Sequence, residues 1–197
     1  MSVLMPPVFL ISGSSRVGKT SLAKEIARLV DGSLVSFGDH VRCIAASISE
    51  GSGITDRKAL QDLGQQLVER DPRGFCTAVI EQDTDSSSQP LVVDGLRHLS
   101  LLPILRDLLP GRNMDLIFIE SSPGIRKSRW GGEPSEDEIV AVDSHLVDAD
   151  LGTLHQRSDL IIDTSDGFEP ALKVFLGWLG DKYPDLARTN SVATEAT

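Results

Sequence analysis

One stretch restricts the possible folds of this chain more than any other: residues 7 to 28, PVFLISGSSRVGKTSLAKEIAR. Val8-Phe9-Leu10-Ile11 is an unbroken apolar run with the length of a buried strand. Gly13-Ser14-Ser15-Arg16-Val17-Gly18-Lys19-Thr20 follows it and fits the spacing G-x-x-x-x-G-K-[ST]. Leu22, Ala23, Ile26, Ala27 and Val30 then recur at helical spacing. Strand, glycine-bearing turn and helix in that order make a P-loop. Its backbone N–H groups face one concavity, and the helix N-terminus adds positive potential there, so a polyphosphate can be cradled by main chain. Gly13 and Gly18 allow the tight turn and the close backbone approach. Lys19 has the reach for β- and γ-phosphates, and Thr20 offers a hard hydroxyl oxygen to Mg²⁺. The candidate nucleotide site is thus Gly13, Ser14, Ser15, Arg16, Val17, Gly18, Lys19, Thr20 and Ser21.

Further strands and helices alternate along the chain. Ser33 to Phe37 reads as a short strand, followed by Gly38-Asp39-His40-Val41-Arg42 and a helix through Ile48. Thr55 is placed to cap a helix with Leu60, Leu63, Leu67 and Val68 on its apolar face. Asp71-Pro72 supplies an N-cap and a first helical residue, ahead of Phe75, Cys76, Val79 and Ile80. Asp83 to Pro90 is a polar loop. Leu91-Val92-Val93 is a third strand, ending in Asp94. Ser100 is a candidate cap for a helix to about Leu109, with Pro103 in its first turn. Asp115 to Glu120 and Asp159 to Asp163 complete five strands. Between them, Ser135-x-x-Glu138 forms a capping box ahead of Ile139, Val142 and Leu146. A last helix carries Phe168, Ala171, Leu172, Phe175, Leu176 and Leu179, and a polar tail is expected to fray from about Asp181.

Alternation of this kind predicts an α/β fold: a five-stranded parallel sheet between helical layers, the three-layer P-loop NTPase arrangement. Ligands in such sheets lie beyond the carboxyl ends of the strands. The P-loop, Asp39, Asp94 and the segment 121–130 all fall at such ends. At 197 residues a single domain is expected over 1–180, with a flexible tail over 181–197. A net charge of −10 argues against a nucleic-acid surface, so positive charge must be concentrated locally around any polyphosphate. Cys43 and Cys76, with no C-x-x-C, suit buried reduced thiols rather than a four-cysteine zinc site. His40, His98, His145 and His155 show no metal-ligand spacing. MSVLMPP lacks a basic region before a long apolar segment, and no run reaches the length of a membrane span, so a cytoplasmic protein without a membrane partner is expected.

Several segments resemble those of P-loop small-molecule kinases. VSFGDHVR is similar to the G-D-x-x-R segment of nucleoside monophosphate kinases. TDRKALQDLGQQLVERDP and LVVDGLRH resemble the acceptor-side helix and the strand-D-x-x-R segment of phage-type deoxynucleoside monophosphate kinases. RSDLIIDTSDG resembles the A-D-x-V-I-D-N strand of the same group, which also includes dephospho-coenzyme A kinases. Arginine stands three residues after Asp94, whereas adenylate-type kinases carry D-G-F-P-R, and this spacing favours the phage-type or dephospho-coenzyme A-like branches. The resemblance implies a helical acceptor region at about 38–82 and a short lid at about 121–150. It implies ATP as donor with Mg²⁺, Arg42 and Arg97 on the acceptor phosphate, and Asp39 orienting the acceptor or the metal's waters. It makes Asp94 the Walker-B-like acid for Mg²⁺, and Arg126 and Arg129 lid residues that close on the transferring group. On this reading Lys19, Asp39, Asp94, Arg126 and Arg129 form the catalytic set.

The expected activity is transfer of the γ-phosphoryl group to a nucleotide-like small molecule, with a (deoxy)nucleoside monophosphate as the leading acceptor class. Dephospho-coenzyme A or a nucleoside hydroxyl is the alternative acceptor. An alternative of another class is a P-loop NTPase that switches a protein partner, and a weaker one is a protein that binds nucleotide without turnover. Trp130 is expected to pack beneath the lid rather than stack on a base. Gln61, Asp62 and Gln65 fit an acceptor-pocket lining and an exposed helix face equally well. Either a monomer or a homodimer is compatible with the sequence.

Overall fold

Five apolar runs become five parallel strands in one sheet, ordered β2-β3-β1-β4-β5. The structure is a computed structural model that describes residues 5–48, 57–83, 88–129 and 150–188. The expected cap Thr55, Trp130, the Ser135–Glu138 capping box with Ile139, Val142 and Leu146, and His145 lie outside the described residues. Elements run in the order β1 (Met5–Ser12), α1 (Lys19–Leu29), β2 (Ser33–Ser36), α2 (Phe37–Ile48), α3 (Arg57–Arg70), α4 (Pro72–Ile80) and β3 (Leu91–Leu96). They continue with α5 (Leu101–Leu108), β4 (Arg112–Glu120), α6 (Pro123–Ser128), α7 (Leu151–Gln156), β5 (Leu160–Asp163) and α8 (Phe168–Lys182).

The sheet is buried on both faces, which is why its central strands read as continuous apolar runs rather than alternating ones. Alternate residues of β1 serve different cores. Val8 and Leu10 join the side covered by α2, α4, α5 and α7, together with Val41, Phe75, Val79, Leu105 and Leu154. Phe9 and Ile11 join the side covered by α1 and α8, together with Leu22, Ile26, Phe175 and Leu179. The three-layer expectation therefore holds.

Local boundaries differ from the sequence reading in physically simple ways. The second strand stops at Ser36 because the Ser36 hydroxyl accepts the Asp39 N–H at 3.2 Å, so α2 begins at Phe37. Ser36 thus caps that helix. Asp71 caps α4 as expected, its carboxylate accepting the Gly74 N–H at 2.8 Å. Ser100 precedes α5 but makes no side-chain cap; the first N–H groups of α5 are taken instead by the His98 and Leu99 carbonyls. Only Cys76 of the two free cysteines is buried, and burial pushes its thiol up to about 11; Cys43 is exposed.

The tail also needs redrawing. Folded structure does not end near Asp181, because α8 runs to Lys182 and residues 184–188 are helical. Asp115, 3% exposed at the start of the buried part of β4, binds both Lys182 Nζ and the Tyr183 hydroxyl. Phe175, Trp178 and Tyr183 meet the Phe9 ring edge-on at centroid distances of 6.0, 6.1 and 5.9 Å. Burial, then the neighbouring Asp115 carboxylate, raises the Tyr183 hydroxyl pKa, so it stays a neutral donor. Tyr183→Phe is expected to cost about 1 kcal/mol in denaturant unfolding, because it withdraws one donor from a buried carboxylate. An unchanged unfolding midpoint would show that the contact does not hold the tail.

Candidate functional site

Parallel register brings the site together before any side chain is considered. Ser36 of β2 lies level with Asp94 of β3, and Asp94 lies level with Ile11 of β1. Three strand ends thus open side by side. Between Ile11 and Ser12 the β1–β3 register slips, and Gly95, at φ 91°, sits in the slip.

At the end of β1 the chain turns tightly against its sheet neighbour β4. A Cβ on Gly13 would stand 2.0 Å from the Ile119 carbonyl oxygen, and its φ is 135°, so no other residue fits. Arg16 is left-handed at φ 62°, and Gly18 leads into α1 at φ 88°. Lys19 Nζ donates to the Ser14 carbonyl across this turn.

Thr20 and Asp94 form the metal-competent pair. Thr20 Oγ1 donates to Asp94 Oδ2 at 2.7 Å. Asp94 is 4% exposed, and its other oxygen, Oδ1, is buried with no hydrogen-bond partner. Burial raises the Asp94 pKa, with Thr20, Lys19 and Arg97 opposing the shift and Asp39 adding to it. An orphaned carboxylate oxygen beside a hydroxyl is the donor set a hard cation takes, so these residues fit Mg²⁺. Among the described residues no group of three or more His, Cys, Asp or Glu gathers to hold a metal without help. Phosphate oxygens and water would have to complete the shell.

A cavity of about 530 Å³ opens from the P-loop toward α2, α3 and α5. Lys19, Thr20, Ser21 and Asp94 line one end, and Arg42, Arg57 and Arg97 also face the cavity. Phe37, Val41, Leu60, Phe75 and Leu101 form its apolar wall. Arg97 reaches back to the Ser15 hydroxyl at 3.2 Å and so joins the β3 end to the P-loop.

The expected residues distribute unevenly around this space. Gly18, Lys19, Thr20, Asp94, Arg42 and Arg97 are brought together. Asp39 is exposed, does not line the cavity, and is paired with Arg42 one turn along α2. Arg126 and Arg129, on and just after α6, do not line it either. Arg126 Nε donates to the Ser15 carbonyl at 3.1 Å, and Arg129 Nη2 donates to the Thr164 carbonyl at 2.8 Å. Of Gln61, Asp62 and Gln65, Gln61 alone lines the cavity, whereas Gln65 bonds Glu69 at 2.7 Å on the exposed side. Arg57 and His98 line it too, although neither stood out in the sequence. A cation at the start of α3, across from Arg42, was the available signal for Arg57. His40 rests against the Phe75 ring, centroids 5.7 Å apart, and its burial lowers its pKa. His155 meets Glu120 at 3.1 Å.

The sequence matches no family model and no curated protein. Solved structures with the same architecture were found. A protein of Thermus thermophilus described as TT1252 shares 13% identity, with a TM-score of 0.60, over 90% of this chain and 98% of its own. A shikimate kinase of Acinetobacter baumannii in complex with shikimate shares 15%, TM-score 0.55, over 90% and 96%. A gluconokinase of Sinorhizobium meliloti shares 18%, TM-score 0.53, over 98% of both chains. At these identities the likeness shows the fold, that of P-loop kinases.

The Asp94 environment generates a prediction. A raised carboxyl pKa penalises the folded, nucleotide-free protein above that pKa and ceases to do so as pH falls toward the unfolded value. Asp94→Asn is therefore expected to melt no lower than wild type near neutral pH while losing Mg²⁺-dependent tightening of nucleotide binding. In the wild type that tightening should fade, on acidification, at a higher pH than an ordinary carboxylate allows. Calorimetric titration with and without Mg²⁺ across pH checks both.

Proposed function

We propose that this chain is an ATP-dependent kinase that transfers the γ-phosphoryl group to an anionic, nucleotide-like small molecule, most simply a (deoxy)nucleoside monophosphate. One observation carries the reading: the phosphate cradle and a second set of cations, Arg42, Arg57 and Arg97, open onto the same cavity. About 530 Å³ is within the range of small-molecule sites and larger than a bare phosphate needs. The aromatic and aliphatic wall of Phe37, Phe75 and Leu60 suits an organic acceptor with a flat face.

Phosphoryl transfer asks mainly for positioning and charge neutralisation. Mg²⁺ held at Thr20 and Asp94 would supply charge neutralisation at the phosphate oxygens. Lys19, released from the Ser14 carbonyl, turns its ammonium to the β- and γ-phosphates. Arg42 and Arg57 grip the acceptor anion with planar forks that match two oxygens at once. Arg97, fixed on Ser15, stands between the two anions and holds them in line. The apolar wall limits water, which would otherwise compete as acceptor.

A hydroxyl acceptor is the second reading, favoured by the two solved neighbours named as kinases of shikimate and gluconate. It requires a base, and Asp39 would have to leave Arg42 and turn into the cavity to serve. An NTP-driven switch accounts for the cradle but gives no use to the arginine-lined cavity.

A screen of ATP consumption against nucleoside monophosphates, nucleosides, dephospho-coenzyme A and small hydroxy acids tests the reading. A phosphorylated product from a monophosphate is expected, and Lys19→Ala should remove about a hundredfold or more of its turnover. Arg42→Ala should raise KM for a phosphate acceptor at least about tenfold while Asp39→Asn stays within about threefold. The reverse order assigns a hydroxyl acceptor. Hydrolysis that no acceptor alters, without any phosphorylated product, favours the switch.

A further inference from the structure

Thr164 lies just past β5, outside the P-loop and outside the acceptor cavity, yet it is 5% exposed. Its backbone N–H donates to the Glu120 carbonyl at 2.9 Å. Its hydroxyl lies 2.7 Å from the Val17 carbonyl and 3.1 Å from the Glu120 carbonyl, so the proton goes to Val17. The hydroxyl oxygen accepts Arg129 Nη1 at 3.0 Å. Arg129 and Arg16 also exchange contacts: Arg16 Nη1 donates to the Arg129 carbonyl at 2.8 Å, and Arg129 Nη1 approaches the Arg16 carbonyl at 3.4 Å. Arg126 Nε holds the Ser15 carbonyl at 3.1 Å.

Three consecutive P-loop carbonyls, Ser15, Arg16 and Val17, are thus each held from outside. The reason is geometric. A cradle works by turning N–H groups inward, and the carbonyls of those peptides then face away from the ligand. Left unpaired in a buried position they are costly. Arg16 adds strain, because a side-chain-bearing residue at φ 62° persists only when its surroundings hold it there.

We propose that Thr164 is a positioning residue of the donor site: with Arg126 and Arg129 it braces the outward carbonyls of the P-loop, so that the inward N–H groups are set before nucleotide arrives. The inference rests on the donor-site reading given above. It assigns Arg129 a different task from a lid arginine. A brace acts on the phosphates common to ATP and ADP, whereas a residue that closes on the transferring group acts on the γ-phosphate alone.

The test is titration of the full chain with Mg-ATP and, separately, Mg-ADP, for wild type, Thr164→Val, Thr164→Ser and Arg129→Ala, each checked by thermal melting. Thr164→Val is expected to weaken both nucleotides by the same factor, about tenfold, because a near-isosteric change strips two partners from the hydroxyl. Thr164→Ser keeps the hydroxyl and should stay within about threefold of wild type. In turnover, KM for ATP should rise in Thr164→Val while KM for the acceptor does not move. Should Thr164→Val not fold, Arg129→Ala, changed at a half-buried position, carries the same ATP-against-ADP comparison. Equal binding by wild type and Thr164→Val overturns the brace, as does a loss in Thr164→Ser as large as in Thr164→Val. A loss in Arg129→Ala confined to ATP returns Arg129 to the γ-phosphate and also overturns it. Wild-type protein that binds neither nucleotide overturns the donor-site reading itself, and the brace with it.

Discussion

The close approach of the chain leaving β1 to the neighbouring strand β4 fixes everything around it. Gly13 has no room for a single carbon between itself and the Ile119 carbonyl, so the chain leaves the sheet there along one path. That path aims the turn at the end of β3, where Thr20 finds Asp94 at 2.7 Å. The same register sets Ser36 level with Asp94, so α2 starts beside them and brings Arg42 to the cavity. Side chains far apart in sequence meet because parallel strands end on one edge, and no long-range ion pair is needed to gather them.

The electrostatics of the site run against the rest of the molecule. A chain of net charge −10 repels a nucleotide at long range, and the Debye length in ordinary salt confines that repulsion to the near surface. Binding must therefore come from groups placed within a few ångströms of the phosphates. On the proposed reading Lys19, Arg42, Arg57 and Arg97, which line one cavity, supply that locally, and backbone N–H groups supply it without net charge. Asp94 is the counterweight. Burial makes its negative charge unfavourable, so a cation bound there would offset that cost.

Much of this was legible in the sequence, for a physical reason. Motifs whose chemistry depends on the backbone, such as the P-loop, fix spacing tightly, so Gly13, Gly18, Lys19 and Thr20 were readable. Strands buried on both faces read as plain apolar runs, so the sheet and its layers were readable as well. Properties that arise from packing were not. Nothing local to Ser36 marks it as the cap of α2, since Asp39, three positions on, is an equally good capping residue. The tail looked polar because Lys182 and Tyr183 carry polar tips, but the Tyr183 ring packs on Phe9, the Lys182 ammonium lies 5.2 Å from the Trp178 ring centroid, and both tips find Asp115. Arg57 was hidden by its neighbours: it is the first residue of a helix whose apolar face drew attention first.

The arginines after β4 show how a motif can be read in the right place with the task left open. Their spacing, Arg126 on α6 and Arg129 three residues on, just past its end, suits both a lid and a brace. The carbonyls they meet separate the two. Phosphate-binding arginines present their forks to open space that the ligand fills, but Arg129 spends one nitrogen on Thr164 Oγ1 and the other on its carbonyl. Freeing it to meet a phosphate would release the Arg16 carbonyl and Thr164, and Thr164 is what holds Val17. A P-loop that contains a strained, side-chain-bearing residue at Arg16 has to import its rigidity from a neighbouring element. In this chain the strand end at Thr164 and the helix at Arg126 make those contacts, so the proposed donor site draws on three separate stretches of sequence rather than one.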